Sequence, residues 1–333
     1  HGHAQGFLRA LEGRKDVVLV GVSEPDAALR KQYAERFRLE EKIFYPSLDA
    51  MLDGAKPEAV AAFSSTFDHP VVVETCAKRK LPVMMEKPLA VSLEHARRIE
   101  RAAKSSGIPV IVNYETTWYK SHGAIEQLVK QKSLGEIRKI VAMDGHAGPK
   151  EIGVGPEFLG WLTDPEKNGA GALFDFGCYG ANLMTWLFDN QRPLAVTATT
   201  LRIKPENYPR VDDEANILVE YPKAVGIIQG SWNWPFSRKD LEVYGRTGYA
   251  IATGGNNVRV RLAGARTEDV RTPEPLPAPM QDPVSYLAAV ARGTVKPSGL
   301  SSLENNLIVT EILVAARESA RTGKRVVLKQ RLD

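Results

Sequence analysis

The sequence predicts an α/β fold, with a doubly wound parallel sheet in the first third and a largely antiparallel sheet after it. Up to Asn113, short apolar runs alternate with amphipathic segments, as in parallel strands joined by helical crossovers. After Asn113, several strand-like runs follow one another with only short turns between them. The chain has 333 residues, which is enough for about two domains.

Apolar runs and helix caps predict the elements of the first part. Val17–Val22 is continuous, apolar and rich in β-branched residues, which is typical of a buried parallel strand. Ser92 is placed to cap a helix that stops before Gly107. We expect further strands at Ala59–Phe63, Pro82–Met85 and Pro109–Asn113, and helices at Asp26–Phe37, Ser47–Leu52, Asp68–Lys80 and Ser92–Ser106.

The second part is expected to begin with a helix, to continue with a run of strands, and to close with a long helix and a final strand. Turns such as Tyr221-Pro222-Lys223 are short enough to join antiparallel neighbours. The predicted helices are Gly123–Lys132, one starting near Gly177 and Ser302–Thr322, and the predicted strands are Ile137–Asp144, Ala195–Arg202, Glu214–Tyr221, Ala224–Trp232, Leu241–Tyr244 and Arg325–Leu328. The Pro-rich stretch Thr272–Pro283 is expected to be a surface connection. The domains are therefore predicted at residues 1–113 and 114–333.

Composition excludes several classes of protein. The chain is 43% hydrophobic and 25% charged, which does not fit a disordered or fibrous protein. A net charge of +4 is too small and too evenly spread for a nucleic-acid footprint. No apolar run approaches the ~18 residues of a membrane span. The two cysteines fit a reducing compartment, so we expect a cytoplasmic protein. We see no cluster with metal-ligand spacing.

Candidate binding residues follow the predicted strands, where an open parallel sheet binds its ligand. Glu24 follows the first strand and can accept hydrogen bonds from both ribose hydroxyls of an adenosine, which would favour NAD over NADP. The alternative is that the acidic residues there only favour the next helix N-terminus. After the second strand come Ser64, Ser65, Thr66 and His69, which can approach a dinucleotide or simply cap a helix.

Two further segments carry polar side chains that could do chemistry. Lys87 follows the third strand, and Pro88 favours an extended backbone that aims the lysine out of the sheet end. If a helix begins near Asp175, then Asp175, Tyr179 and Asn182 lie on one face of it. Such a row of residues can be part of a site, or it can be a hydrogen-bonded patch of the core.

These residues together resemble the Gfo/Idh/MocA oxidoreductases. The resemblance depends on Glu86-Lys87-Pro88 and on the Gly-x-Gly-Ala-Leu-x-Asp-x-Gly-x-Tyr-x-x-Asn segment from Gly169 to Asn182, and it runs the whole length of the chain. It implies an N-terminal Rossmann domain and a C-terminal domain with an open, mostly antiparallel sheet. It also implies hydride transfer between NAD(P) and a hydroxyl-bearing carbon of a sugar or cyclic polyol. Homodimers or homotetramers packed through the C-terminal sheet are expected.

The resemblance also implies roles for individual residues. Lys87 would be catalytic, Glu86 would lie beside the nicotinamide ribose, and Asp175 would orient the substrate. Tyr179 stands where His is commoner in the family and Asn182 where Asp is commoner. The tyrosine is similar to the branch that contains glucose–fructose oxidoreductase and dimeric dihydrodiol dehydrogenases. Leu162 follows Trp161 where many relatives have Arg, so one cofactor contact is in doubt.

The start of the sequence departs most from the family pattern. The first strand and most of the Gly-x-Gly-x-x-Gly loop are not found, and Gly2 could be the last glycine of that loop. We therefore expect that roughly 10 or more residues precede His1 in the natural protein, because a strand and its turn need about that many. An exported form stays open on the same ground.

The hypothesis from the sequence is the reversible oxidation of a hydroxyl group. Tyr179 would take the hydroxyl proton, with its pKa lowered by Lys87 and by the nicotinamide ring. Trp118 is a candidate to line the substrate cleft, because sugar rings stack on indole faces, although core packing is the alternative. Two other functions stay open: a non-redox, cofactor-sensing regulator, and a glycosidase that uses NAD transiently.

Overall fold

The computed structural model describes residues 2–329. The helices are α1 His3–Leu11, α2 Ala27–Phe37, α3 Leu48–Ala55, α4 His69–Lys78, α5 Leu93–Ser106, α6 Lys120–Lys130, α7 Pro156–Leu162, α8 Ala172–Asp175, α9 Gly177–Leu187, α10 Pro283–Ala291 and α11 Leu303–Thr322. The strands are β1 Val22–Ser23, β2 Phe44–Tyr45, β3 Val60–Ala62, β4 Val83–Glu86, β5 Val110–Asn113, β6 Ile137–Gly145, β7 Ala195–Leu201, β8 Glu214–Glu220, β9 Val225–Ser231, β10 Arg238–Gly245, β11 Gly248–Thr253, β12 Asn257–Leu262, β13 Asp269–Arg271 and β14 Val326–Val327.

The N-terminal strands are all parallel, which confirms the predicted fold class, but they form two hydrogen-bonded groups. β1 pairs with β2, and β3, β4 and β5 form a separate three-stranded sheet. The strand expected at Val17–Val22 is regular only from Val22 onwards. Val18 and Val20 are 75% and 42% exposed. Within residues 2–329 they have no strand to pair with, so their apolar character does not make them part of a sheet.

Local sequence signals set the helix ends of this part as expected. The Ser92 hydroxyl accepts a hydrogen bond from the backbone N–H of His95 at 3.1 Å, which caps α5. The same helix ends at Gly107, whose φ of 72° lies in the left-handed region that glycine adopts easily. Asp26 caps α2 in the same manner, accepting from two backbone N–H groups. These caps fix where each helix leaves the edge of the sheet.

The C-terminal part is built on one nine-stranded sheet. Its order is β13-β12-β11-β10-β6-β9-β8-β7-β14, and every neighbouring pair is antiparallel except β6 and β9. This confirms the mostly antiparallel sheet. Strands β11 to β13 and helix α10 were not predicted. Helices α9 and α11 cover one face of the sheet and pack against β6, β7 and β9. This packing belongs to a core that continues into the N-terminal part of the chain.

Helices of the C-terminal part also pack against the sheet formed by β3, β4 and β5. Tyr286 and Leu287 of helix α10 pack on Met84 of β4 and Ile111 of β5. These two strand residues are buried on the side of the sheet that faces away from the main core. The Tyr114 hydroxyl, just after β5, donates to the side chain of Asn306 on α11 at 3.0 Å. These contacts hold the carboxyl ends of β4 and β5 beside helices α8 and α9. Within residues 2–329, no helix has both the length and the apolar character needed to cross a bilayer.

The close approach of α9 to the sheet generates a stability prediction. A Cβ at Gly180 would lie 2.7 and 2.8 Å from side-chain atoms of Ile228 and 3.0 Å from the Ala142 Cβ. We expect Gly180→Ala to lower the free energy of unfolding by about 1–3 kcal/mol through overpacking. Gly160→Ala on α7 is the matched control, because a Cβ there meets nothing within 4 Å. It should be neutral or stabilising in urea denaturation. Equal effects of the two substitutions would contradict the packing account.

Candidate active site

A buried ion pair joins the end of β4 to helix α8. The Lys87 Nζ lies 2.5 Å from Oδ1 of Asp175 and also donates to the Asp175 backbone oxygen at 2.8 Å. The other carboxylate oxygen, Oδ2, accepts from the Trp232 indole N–H at 2.9 Å. Both charged side chains are buried. The structure therefore brings together two predicted site residues that are 88 positions apart in the sequence.

The two partners keep each other ionised. Burial alone would lower the pKa of Lys87, but the carboxylate of Asp175 outweighs it, so the pKa of Lys87 is raised. Burial would raise the pKa of Asp175, and the ammonium of Lys87 lowers it below its usual value. Lys87 is therefore a fixed cation at neutral pH. It can donate hydrogen bonds, but it is not suited to take up a proton.

Tyr179 lies against this pair. Its side chain is 1% exposed, and the Lys87 Nζ lies 5.0 Å from the centroid of its ring. Phe176 stacks on the same ring with centroids 5.8 Å apart, and the Tyr114 ring meets it edge-on at 5.5 Å. The structure thus places Lys87, Asp175 and Tyr179 in one buried group. This group lies between the sheet of β3, β4 and β5 and the nine-stranded sheet.

The pKa expected for Tyr179 is corrected by the structure. The sequence predicted a phenol whose pKa is lowered by Lys87 together with the nicotinamide ring, and the structure corrects the contribution expected from Lys87. Burial instead raises the pKa of Tyr179 well above its usual value, and the nearby carboxylate of Glu115 adds to the rise. The ammonium of Lys87 lies over the ring and is already paired with Asp175, so it does not offset the loss of solvation. Tyr179 is a neutral phenol at neutral pH.

A second lysine, Lys239 on β10, was missed by the sequence reasoning. Its Nζ lies 5.4 Å from the centroid of the Tyr179 ring and 5.8 Å from that of Phe176. It forms an ion pair with Glu115 at 2.9 Å, and Glu115 lies just after β5. No short motif marks Lys239. Only the register of β10 against β6 brings it to the site, and register cannot be obtained from local sequence.

Glu86, the last residue of β4, is 1% exposed. Its carboxylate accepts from the Asn113 amide at 2.5 Å, and it lies 3.0 Å from Nδ1 of His3. Trp118 is tied to this group, since its indole N–H donates to Asn113 Oδ1 at 3.0 Å. The Trp118 ring also packs on Tyr286, with centroids 5.7 Å apart. Glu86 and Trp118 therefore lie at the carboxyl edge of β4 and β5.

The polar turn after β3 contains the other predicted cofactor ligands. The Ser64 hydroxyl donates to the backbone oxygen of Ser65 at 3.4 Å, and the Ser65 hydroxyl donates to Asp68 at 2.5 Å. Thr66 is 1% exposed. His69 starts α4, and its Nδ1 lies 3.0 Å from the backbone oxygen of Leu89, which it reaches as a donor. Burial lowers the pKa of His69 to about 4, so the ring is neutral.

Glu24 and Gly2 lie at other points of the first part. Glu24 follows β1, and its carboxylate accepts from the backbone N–H of Asp26 at 2.9 Å. The Arg30 guanidinium donates to the Glu24 backbone oxygen at 2.7 Å. Gly2 precedes α1, and a Cβ on it would lie 3.7 Å from the ring of Phe158 on α7. The side-chain hydrogen bond of Glu24 stays within its own turn, and its backbone N–H donates to the Tyr45 backbone oxygen on β2 at 3.1 Å.

Asn182 is placed apart from the Lys87 group. It is fully buried on α9, and its amide nitrogen donates to the Leu300 backbone oxygen at 2.8 Å and to Asn305 Oδ1 at 2.7 Å. These bonds hold α9 against α11. Asp175 and Tyr179 also do not share one continuous helix, because α8 ends at Asp175 and α9 begins at Gly177. The predicted single-face row is therefore split, and only Asp175 and Tyr179 meet Lys87.

The residues at the carboxyl edge fit a nicotinamide dinucleotide. Acidic or hydroxyl side chains follow β1 and β3, and the acidic Glu86 ends β4, as in sheets that bind ribose and phosphate groups. Nε2 of His69 is buried and has no hydrogen-bond partner within residues 2–329. Because Nδ1 is the donor to Leu89, Nε2 is an acceptor that a bound ligand could satisfy. Glu24, Ser64, Ser65 and Glu86 have the chemistry to hold the remainder of such a ligand.

The fold and this edge define a class of proteins that pair a Rossmann-type nucleotide-binding sheet with a mostly antiparallel second sheet. Residues 2–114 match the family described as "Oxidoreductase family, NAD-binding Rossmann fold", and residues 122–251 match the "GFO/IDH/MocA C-terminal domain". The chain belongs to the Gfo/Idh/MocA family of NAD-binding oxidoreductases.

Individual relatives agree with this family. Trans-1,2-dihydrobenzene-1,2-diol dehydrogenase of Sus scrofa is 24% identical over 219 residues, which are 66% of this chain and 60% of the relative. The matched part therefore spans less than two thirds of that protein. Aldose-aldose oxidoreductase from Caulobacter crescentus shares the fold with a TM-score of 0.78 at 20% identity, over 93% of this chain and 91% of that one. Levoglucosan dehydrogenase shares it with a TM-score of 0.80 at 19% identity, over 99% and 96%.

The buried His69 generates a prediction about acid stability. Its folded-state pKa of about 4 lies below the ordinary 6.5, so the unfolded chain takes up a proton between these values and the folded chain does not. Stability should therefore fall as the pH drops from 6.5 towards 4. At roughly 1.36 kcal/mol per pKa unit, His69 should account for about 3 kcal/mol of that loss. His69→Asn retains a donor for the Leu89 backbone oxygen but cannot take up the proton, so the variant should not show this part of the loss.

The test is denaturant unfolding of both proteins between pH 7 and pH 4. Their difference isolates His69, because His122, whose pKa burial also lowers to about 4, is present in both. An identical loss of stability in the wild type and the variant would contradict the assignment of a buried neutral ring.

Proposed function

We propose that the protein is an NAD(P)-dependent dehydrogenase or reductase that transfers a hydride between nicotinamide and a hydroxyl-bearing carbon of a sugar or cyclic polyol. The observation that carries the proposal is the buried Lys87–Asp175 pair, with Lys87 Nζ 5.0 Å above the Tyr179 ring. This group lies where β4 ends, the edge at which a nucleotide-binding sheet holds its ligand. The names of the relatives support a substrate with hydroxyl groups on a ring.

The cofactor would lie along the carboxyl edge of the first sheet. We propose that Glu24 accepts the ribose hydroxyls, which favours NAD over NADP because a carboxylate repels a 2′-phosphate. Ser64, Ser65, Thr66, His69, Glu86 and Gly2 are the other proposed cofactor-binding residues. NAD supplies the carbon that accepts or returns the hydride. The proposed division is a nucleotide-binding domain at residues 1–113 and a substrate and assembly domain at residues 114–333.

Lys87 would bind the reacting oxygen of the substrate. Its ammonium remains charged because of Asp175, so it can donate a hydrogen bond and stabilise negative charge that develops on that oxygen. Asp175, itself held by Trp232, fixes the position of the ammonium. We therefore propose that Asp175 orients the substrate through Lys87.

Tyr179 would exchange the proton. As a neutral phenol it is ready to donate a proton to a carbonyl oxygen, which is the direction of reduction. In the direction of oxidation the phenol must first lose its proton, so the rate should rise with pH above neutrality. This proton role needs the Tyr179 hydroxyl, whereas the stacking on Phe176 needs only the ring.

We further propose a homodimer or homotetramer formed through the C-terminal sheet. Leu218 lies directly beside Ile227, and Ile227 beside Val141, so three apolar side chains cross the face that α9 and α11 leave uncovered. Leu218 is 39% exposed. An apolar row on an open sheet face is typical of an assembly surface.

The assembly prediction is tested by sedimentation velocity. The wild type should sediment as a dimer or larger species, and Leu218→Asp should shift it towards the monomer, because a desolvated carboxylate in an apolar contact costs free energy. Asn216→Asp, two residues earlier on the same face, is the control for added charge. A monomeric wild type would contradict this proposal and leave the catalytic one standing.

The catalytic proposal is tested by Tyr179→Phe, which retains the ring and removes the hydroxyl. We expect turnover to fall by about 10²–10⁴-fold, the range of a general acid or base, with little change in NAD affinity. The rise of the oxidation rate with pH should also be lost. Tyr221→Phe is the matched control, because Tyr221 is also a buried tyrosine with a raised pKa but packs on Phe188.

The assay follows reduced-cofactor absorbance and sugar release with aldoses, inositols and glycosides, with NAD and with NADP. A net change in reduced cofactor that depends on Tyr179 supports the proposal. Bound cofactor without turnover would indicate a sensing regulator instead. Glycoside cleavage without net reduction would indicate a glycosidase. Wild-type turnover in Tyr179→Phe would remove the proton role.

A further inference from the structure

We propose that a cavity lined by three arginines, Arg202, Arg210 and Arg317, binds a phosphate group, either as the free ion or as the monoester of a small molecule. The cavity has a volume of about 380 Å³, which is within the range of small-molecule sites. None of the catalytic or cofactor-binding residues proposed above lines it. The inference therefore does not depend on the proposed function.

Three separate segments of the C-terminal part bring the arginines to one cavity. Arg202 directly follows β7, Arg210 lies in the connection that leads to β8, and Arg317 is on α11. Gly169 and Ala170, which precede α8, form another wall. Helix α11 covers one face of the nine-stranded sheet, whereas the proposed assembly surface is the other face. The cavity is therefore distinct from that surface as well as from the catalytic group.

The arginines retain hydrogen-bond donors for a ligand. Within residues 2–329, Arg202 and Arg317 each donate to a single backbone oxygen, at 2.6 and 2.8 Å, and Arg210 donates only to the carboxylate of Asp164, at 3.2 Å. A guanidinium carries five N–H donors in a planar fork, which matches two oxygens of a phosphate or carboxylate. Each of the three side chains can therefore bind an oxyanion without losing the contact that it already makes.

Arg317 indicates the charge of the ligand. Its side chain is half-buried, and its guanidinium carbon lies 5.1 Å from the centroid of the Phe174 ring. The adjacent carboxylate of Glu318 does not neutralise it, because Glu318 is paired with Arg321 at 2.7 Å. Burial lowers the pKa of Arg317, but a guanidinium remains charged at neutral pH. A cation that is partly withdrawn from water is stabilised by a bound anion.

The carboxylate of Asp212 also lines the cavity, but its hydrogen bonds go elsewhere. Its two oxygens accept from the backbone N–H groups of Gly171 and Leu173, at 2.9 and 2.7 Å. Burial raises the pKa of Asp212 to about 6, so nearby cations do not dominate its titration. Together with Asp164, it sets two carboxylates against three arginines. The cavity therefore retains an excess of positive charge.

The number of guanidinium groups favours phosphate over carboxylate. A phosphate monoester presents three strong acceptor oxygens, so it can contact three guanidinium groups at once, whereas a carboxylate has only two oxygens. The cavity is also larger than a single phosphate needs, which leaves room for the remainder of a small ester. These two features together lead to a phosphate group as the bound chemistry.

The test is thermal denaturation of the NAD-saturated protein with increasing inorganic phosphate or glycerol 2-phosphate, compared with sodium chloride at equal ionic strength. Saturating NAD prevents phosphate from binding where the phosphates of the cofactor bind. We expect a saturable rise of Tm with phosphate and none with chloride. Tighter binding of the ester would identify an ester as the occupant, and equal binding would identify the free ion. Either result supports the inference.

Substitutions locate the binding. Arg317→Gln and Arg202→Gln should each weaken phosphate binding about 10–100-fold, the value of one hydrogen bond to a charged group. Arg317→Lys, which retains the charge but not the planar fork, should restore the affinity only in part. Arg321→Gln is the matched control, because it removes the same charge from an exposed position one turn further along α11. It should bind phosphate like the wild type.

The inference is overturned if phosphate stabilises the protein no more than chloride does. It is also overturned if Arg317→Gln and Arg202→Gln lower the unliganded Tm but bind phosphate as tightly as the wild type, since the arginines would then only support the fold. An equal loss of affinity in Arg321→Gln would overturn it as well, because that result would indicate a general effect of charge.

Discussion

The rest of the site depends on the requirement that Lys87 be neutralised where it is buried. An ammonium taken out of water costs several kcal/mol unless a counter-charge and hydrogen bonds replace the solvent. Asp175 supplies both, through one carboxylate oxygen and its backbone oxygen. Since Lys87 directly follows β4 and Asp175 ends α8, this requirement fixes the first sheet against the helices that cover the second. The position of Tyr179, four residues after Asp175, follows from it.

Local signals in the sequence predicted the parts of the fold that short-range physics controls. The strands β3, β4 and β5 and the closing helix α11 follow apolar runs bounded by turn residues and caps. Helix α10 was missed because Pro283–Ala291 is apolar almost all round and has no amphipathic period. Lys87 could be identified because a motif surrounds it. Lys239 could not, because only the pairing of β10 with β6 brings it to the site.

The state of Tyr179 shows which of two electrostatic effects prevails. Proximity to a cation lowers the pKa of a phenol, and burial raises it. The cation was correctly expected near the ring, with its Nζ 5.0 Å from the centroid. Its charge, however, is compensated by Asp175, so little of it remains to stabilise a phenolate. Burial therefore decides the outcome, and sequence reasoning had no means of knowing how completely the ring would be enclosed.

The balance of charge in the site has a consequence for what it can bind. Each lysine near Tyr179 is paired with its own carboxylate, Lys87 with Asp175 and Lys239 with Glu115. Among the described residues, the unsatisfied hydrogen-bonding atoms include the buried carboxyl oxygens of Asp144 on β6, whose pKa burial raises well above its usual value, and Nε2 of His69, which is neutral. A ligand gains most by completing unmet hydrogen bonds without adding an unpaired charge. The site is therefore better matched to a neutral, hydroxyl-rich substrate than to a phosphorylated or acidic one.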